Sequence, residues 1–331
     1  MSRYEKNPNL NRVLVTGGAG YVGSVVVDEL LAKGHAVRAF DSLLHGGVPS
    51  LLQAWGDDQF QFVRGDVRDA AARQEALADV EAVLHLAAIV GDPACSREPD
   101  AARDVNVEGT GGLLDDAQAA DVERCVIAST CSNYGKMADS DVFATEEFDL
   151  RPISLYAETK VAAELDALAR ADDLATTCLR FATVYGVSPR MRFDLTVNEF
   201  TREVALGKEL VVFGEQFWRP YVHVRDAARA ACMVLTAPLE QVRGEVFNVG
   251  STDENYRKLD IVELLKARDP SAKISFVHKD EDPRDYRVSF EKVKERFGFE
   301  TKRTVDDGIG EVMTLVESGF LVDPYAPIYQ N

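Results

Sequence analysis

Tyr156 and Lys160 stand four residues apart in Tyr156-Ala157-Glu158-Thr159-Lys160, opening a helical pattern that follows Arg151-Pro152-Ile153-Ser154. Positions i and i+4 share a helix face, so the phenol and the ammonium point the same way. An ammonium beside a phenol favours the phenolate and lowers its pKa, which makes a general base usable near neutral pH. Upstream, Ala128-Ser129-Thr130-Cys131-Ser132-Asn133-Tyr134-Gly135 ends a run with strand character, where a hydroxyl can hydrogen-bond a substrate beside the phenol. The competing reading is a surface tyrosine and a loop capped by hydroxyls.

A second constellation precedes it. Thr16-Gly17-Gly18-Ala19-Gly20-Tyr21-Val22-Gly23 lies between the apolar run Val13-Leu14-Val15 and the amphipathic stretch Val25 to Ala32. A glycine-rich turn from a buried strand into a helix N-terminus lets backbone N–H groups approach a pyrophosphate, whose charge the helix dipole favours. The spacing is GxxGxxG, where the common dehydrogenase fingerprint is GxGxxG. Asp41 closes the next apolar run, Ala36 to Phe40, where a carboxylate can take ribose hydroxyls. That carboxylate favours NAD. A site for NADP would place an arginine there, and Ser42-Leu43-Leu44 supply none.

These residues need a frame, and the pattern around them predicts one. Strands are expected near 12–16, 36–40, 60–64, 81–86, 123–129 and 176–180, with helices near 21–33, 69–78, 100–119 and 154–171. This alternation predicts an α/β, Rossmann-type, doubly wound parallel sheet. After Gly186 the rhythm breaks at Ser188-Pro189-Arg190-Met191-Arg192. Helices are expected near 194–206, 225–236, 257–267 and 303–317. We therefore expect an NAD-binding domain over 1–186 and a smaller C-terminal substrate-binding lobe over 187–331, some segments of which return to the sheet. Such a lobe closes a cleft over the strand ends.

Composition bounds the partners. The 331 residues are 46% hydrophobic and 28% charged, an ordinary globular balance. A formal charge of −18 argues against nucleic acid or an anionic membrane as partner, but leaves room for an anionic small ligand in a locally positive pocket. The acidity suits a salt-rich habitat and surface solubility equally. Cys95, Cys125, Cys131, Cys178 and Cys232 form no CxxC pair and have no histidine at ligand spacing, so neither a metal site nor a disulfide framework is expected. The polar stretch Met1 to Arg12 lacks a signal-peptide centre, and no apolar run is long enough to span a membrane. A cytoplasmic protein is expected.

Taken together, the motifs resemble the extended short-chain dehydrogenase/reductase family, in particular its nucleotide-sugar epimerases and dehydratases. The resemblance runs over most of the chain. It includes the Thr16–Gly23 turn, Gly65-Asp66-Val67-Arg68-Asp69, His85-Leu86-Ala87-Ala88, Asn106-Val107-Glu108-Gly109-Thr110, the Ser129–Gly135 segment, Tyr156 with Lys160, Leu179-Arg180, Val184-Tyr185-Gly186 and Arg219-Pro220-Tyr221-Val222-His223-Val224. It implies that Tyr156 is the base, that Lys160 binds the nicotinamide ribose, and that Thr130 takes the family's Ser/Thr role. It implies a cofactor lined by Gly17, Gly20, Tyr21, Val22, Gly23, Val67, Leu86, Ala87, Ala88 and Asn106, with Asp66 at the adenine. Arg219 is implied to hold the sugar-nucleotide phosphates. The family's usual assembly, a homodimer, joins helices near 100–119 and 154–171 into a four-helix bundle, where Ala162, Ala163, Ala167, Ala117, Ala119 and Ala120 would permit close approach.

Departures from the family narrow the chemistry. Its dehydratases place an acidic pair directly after the catalytic threonine; here Cys131 and Ser132 stand there. Cys131 reads either as a reactive thiol or as a small residue beneath the cofactor. Thr183 replaces the asparagine usual before Val-Tyr-Gly, and the late Arg-Pro-Gly-Asp motif becomes Asp282-Pro283-Arg284-Asp285, with Arg284 a candidate phosphate ligand. Arg190, Arg192 and Arg219 fall in the lobe, where a guanidinium fork suits a diphosphate or a uronate carboxylate. His223 is expected to pack in a strand and His85 in the core. The expectation is an NAD-dependent nucleotide-sugar epimerase acting at C4 of a nucleoside-diphosphate hexose or hexuronate. The alternatives are a dehydratase or 4-ketoreductase, and a non-catalytic NAD-binding regulatory protein.

Overall fold

The computed structural model describes residues 12–137, 142–278 and 285–331. Six runs rich in Val, Ile, Leu, Phe and Ala form the strands expected from the sequence: β1 Arg12–Thr16, β2 Ala36–Asp41, β3 Phe60–Arg64, β4 Ala82–His85, β5 Arg124–Thr130 and β6 Ala175–Phe181. A distant strand, Glu245–Val249, joins them at the edge. With β7 Thr183–Tyr185, β8 Leu210–Phe213 and β9 Trp218–His223 counted before it, that strand is β10. The seven are all parallel, in the order β10-β6-β5-β4-β1-β2-β3. Strand order reverses at the β1/β4 boundary, where ligands bind open α/β sheets.

Helices cover both faces. α1 Gly23–Ala32 leads from the glycine turn. α2 Ala70–Leu77 follows, then α3 Asp92–Arg97, α4 Pro99–Arg103, α5 Gly109–Ala119, α6 Leu155–Ala169, α7 Thr196–Ala205 and α8 Val224–Leu235. One sheet face packs Val13, Val15 and Leu84 against Val26, Val27 and Leu30 of α1 and the alanine-rich face of α8. The other packs Leu14, Val83 and Ile127 against Leu113, Leu114 and Ala117 of α5 and Ala167 of α6. The helix expected over 100–119 is interrupted by a wider turn at Asp104–Glu108 that separates α4 from α5.

The lobe interleaves with this domain. Thr183–Tyr185, before the expected break at Gly186, already pairs with Tyr221–His223 of the lobe. Conversely, α8 and β10 return to the sheet. After α9 Leu239–Val242, the lobe adds β11 Asn255–Arg257, α10 Lys258–Arg268, β12 Ile274–Val277, α11 Glu291–Phe297 and α12 Val305–Glu317. Its core joins Tyr185, Val197, Phe200, Tyr221, Ile261, Leu265, Val305 and Ile309.

His85 and His223 pack as expected. His85 is buried, with Nδ1 2.7 Å from Thr16 Oγ1 and Nε2 2.9 Å from Thr110 Oγ1. Burial, reinforced by the Lys160 charge, pushes its pKa down to about 3, so it is neutral. His223 ends β9, accepts from Arg225 N–H to start α8, and lies 2.8 Å from Glu311. Among the described residues, no helix is long and apolar enough to cross a membrane.

Candidate active site

The turn after β1 is closed by its own backbone. Gly20 N–H donates to Gly17 O at 3.0 Å, and Gly17 holds φ at +69° with Ala87 N only 2.8 Å from where a Cβ would stand. A Cβ on Gly23 would collide with the Gly17 carbonyl. Only glycine lets α1 begin this close to the strand end. Asp41, at the end of β2, accepts from Ala19 N–H at 3.0 Å and Leu43 N–H at 2.8 Å. Burial raises its pKa against those two bonds.

Gly17, Gly20, Tyr21, Val22, Gly23, Asp41, Asp66, Val67, Leu86, Ala87, Ala88, Thr130, Tyr156, Lys160, Thr183, Arg192 and Arg219 all border one cleft of 860 Å³ between sheet and lobe. Asp66 is turned to Arg68, which donates to both its oxygens. Tyr21 also ties the lobe down: its hydroxyl donates to Gly186 O at 2.6 Å. Asn106 is the exception. It lies behind the wall, accepting from Ile89 N–H at 2.8 Å and donating to Ile89 O at 3.0 Å, and so reaches the cleft only through Ile89. Arg284 lies outside the described residues, as do Asp282 and Pro283.

At the other end, Ser154 caps α6 by accepting from Ala157 N–H and donates to Asp92 at 2.6 Å. Two residues on, Tyr156 hydrogen-bonds the Thr130 side chain. The expected lowering of the phenol pKa by Lys160 is reversed here. Burial holds the Tyr156 pKa above its usual value, Cys95 and Asp92 add to the rise, and Arg192 is the cation that opposes it. The ammonium of Lys160 is occupied elsewhere, donating to Ala128 O at 2.7 Å. Burial brings its pKa down to about 8.

Cys131 and Ser132, adjacent in sequence, face opposite ways. Ser132 borders the cleft, its Oγ 3.2 Å from the Tyr286 hydroxyl. Cys131 is buried in the core with Sγ 3.2 Å from Arg180 O, and burial pushes its thiol pKa well up. A buried, protonated thiol does not suit the reactive reading, and Cys131 packs in the core instead of lying on the cleft beneath a cofactor.

Several cleft residues carried no local signal in the sequence. Asp92, Arg97, Asp194, Lys258, Tyr286, Gln330 and Asn331 arrive from separate segments. With Arg68 and Asp66 paired, the cations Arg97, Lys160, Arg190, Arg192, Arg219 and Lys258 outnumber the acids Asp41, Asp92, Glu98 and Asp194. A chain of −18 therefore presents a locally positive cleft. Arg192 is fixed by a two-pronged pair with Asp194, at 2.9 and 2.6 Å. Arg219 donates to Trp218 O and lies over the Tyr286 ring.

Comparison with known proteins adds the following. The model of the NAD dependent epimerase/dehydratase family matches residues 13–250. The chain is 32% identical over 306 residues to the low-salt glycan biosynthesis protein Agl12 of Haloferax volcanii, covering 90% of this chain and 96% of that one. Among solved structures it is similar to DesIV, a dTDP-glucose 4,6-dehydratase from Streptomyces venezuelae with NAD bound: TM-score 0.83, 27% identity, 93% of this chain and 98% of that one. It is also similar to the UDP-glucose 4-epimerase of Thermotoga maritima with UDP-glucose: TM-score 0.82, 28% identity, 93% and 99%.

Proposed function

Since the chain belongs to the NAD dependent epimerase/dehydratase family, we propose that it is a nucleotide-sugar epimerase that inverts C4 of a nucleoside-diphosphate hexose or hexuronate. The cleft fits the family's cofactor. The glycine turn and the start of α1 offer backbone N–H groups to a pyrophosphate, and Asp41 offers its remaining lone pairs to ribose hydroxyls. Lys160 borders the same cleft and is the residue that would hold the nicotinamide ribose. NAD held there supplies a hydride acceptor that later returns the hydride.

The protein's own residues do the rest. Tyr156 would take the proton of the C4 hydroxyl as hydride leaves the same carbon, giving a 4-keto sugar; its buried phenol is held protonated as it stands, so the base form needs the positive charge of the nicotinamide ring beside it. Thr130, already bonded to the phenol, stabilises the oxygen as its charge changes. Arg192 and Arg219 grip the diphosphate while the flat keto-sugar turns over. Tyr156 then returns its proton to the oxygen as hydride arrives on the other face. Intact Thr130, Tyr156 and Lys160 speak against a purely regulatory NAD-binding protein.

The observation that carries epimerisation over dehydration is the environment of Cys131 and Ser132. Elimination of the 6-hydroxyl needs a base for the C5 proton, and this segment brings a hydroxyl to the cleft and turns a thiol away from it. Offered UDP-, dTDP- and GDP-hexoses or hexuronates in deuterated water, the enzyme should return an isomer of unchanged mass with C5 still protiated. A product lighter by one water, or deuterium at C5, overturns this reading. Asp92, beside Tyr156, then becomes the candidate acid–base group in place of Cys131.

We further propose a homodimer in a reducing cytoplasm. Ala162, Leu165, Ala119 and Ala120 are exposed on the adjoining α6 and α5 segments, whereas Ala163, Ala167 and Ala117 already face the chain's own core. Light scattering should give twice the 36.4 kDa chain mass.

A further inference from the structure

We propose that Arg190, supplied by the lobe and held by a strap at Ile328–Asn331, binds the pyrophosphate and adenosine ribose of NAD and so retains the cofactor through the catalytic cycle. The sequence allowed Arg190 only a substrate role and supplied no cation near Asp41. The chain path changes that. Ser188 donates to Tyr21 O at 2.6 Å and lies 3.3 Å from Ser24 Oγ, which pins its segment to the glycine turn and the start of α1. Two residues on, Arg190 borders the cleft at the Asp41 end.

Arg190 is only 5% exposed, and its buried Nε has no acceptor. Nη2 donates to Gln330 O at 2.9 Å. Burial brings its pKa down to about 10, the neighbouring Arg192 charge adds to the fall, and Asp194 and Asp41 oppose it. A buried guanidinium with an unused donor, beside a like charge, is costly until anionic oxygens meet it. A pyrophosphate over the glycine turn places such oxygens there.

The strap crosses both walls. Ile328 packs against Gly46 in the loop after β2. Tyr329 O accepts from Phe193 N–H at 2.8 Å, with the two rings edge to face at 5.8 Å. Asn331 O accepts from Arg97 of α3 at 2.9 Å. The strap thus spans the mouth of the cleft while orienting Arg190.

The inference rests on the family's NAD dependence but not on C4 chemistry, so its test reads binding alone. Calorimetric titration of cofactor-stripped protein with NAD, ADP-ribose and UDP-glucose separates the roles. Arg190→Ala should weaken NAD and ADP-ribose by about 10- to 100-fold, as expected for a lost charged hydrogen bond, and leave UDP-glucose within about threefold. Tyr329→Ala should weaken the same two ligands less, and add nothing in the Arg190→Ala background, because it acts through Arg190. Arg190→Lys keeps the charge and loses the fork; an intermediate loss of ADP-ribose with an unchanged apo melting temperature separates binding from folding. Unchanged ADP-ribose affinity in Arg190→Lys and Tyr329→Ala, or a larger loss of UDP-glucose than of ADP-ribose in Arg190→Ala, overturns the proposal.

Discussion

The two walls of the cleft are built by different physics. The sheet wall is backbone and small side chains: the glycine turn, the Leu86–Ala88 segment, and Asp41 held by two N–H groups. It is made of short segments at the ends of β1, β2 and β4, and its tolerance is steric. The lobe wall is long cationic side chains, Arg190, Arg192 and Arg219, each oriented by an acceptor from another residue. Its strength is electrostatic, although all three arginines are buried. On the proposed reading, proton transfer falls to Tyr156 and Thr130 on the sheet side, and grip on the substrate diphosphate falls to Arg192 and Arg219 of the lobe wall.

Four perturbations would break or sharpen that division. Tyr156→Phe removes the proton acceptor but little volume, so kcat should fall by about 10²- to 10⁴-fold. NAD content and sugar-nucleotide affinity should be kept, as read by absorbance of the denatured protein and by titration. Loss of both ligands with kcat would move Tyr156 from chemistry to grip. Arg219→Ala and Arg192→Ala should do the opposite, raising KM about 10- to 100-fold, as a lost charged hydrogen bond predicts, with a smaller change in kcat. A change in kcat alone would place these arginines on the reacting atoms.

The third perturbation is pH. Lys160 is cationic below about pH 8 and loses its charge above it, since burial depresses its pKa. NAD affinity should therefore fall on the alkaline side through about pH 8. Lys160→Arg, which stays charged, should remove that limb; a limb that persists belongs to another group. The smallest effect is expected at Cys131. Cys131→Ser leaves a donor to Arg180 O, so kcat should change less than about threefold and stability by about 1 kcal/mol. A large kcat loss without a melting shift would bring Cys131 back as a functional thiol.

Where the sequence succeeded, the signal was local. β1, β2, β4, β5 and β6 are largely apolar runs because the inner strands of a parallel sheet are buried on both faces, while β3, at the edge, keeps Gln61 and Arg64 exposed. β7, β11 and β12 have three or four residues each and no such run, so only pairing reveals them. β10 closes the sheet from the far half of the chain. The helix over 100–119 was read as continuous because its periodicity is; the wider turn at 104–108 accompanies the bonding of Asn106 to Ile89 across the fold.

The amino-acid sequence by itself determined the glycine turn, the carboxylate ending β2, and the shared face of Tyr156 and Lys160, because helix and strand periodicity set these over a few residues. The fold decided direction and long-range approach. It turned Cys131 inward and Ser132 outward from one short helical turn after β5, set Asn106 behind the wall, and brought Asp92 to Tyr156 and Arg190 to the Asp41 end. The physical reason is that burial and charge at these sites come from segments far apart in the chain, and no local periodicity encodes which of them meet.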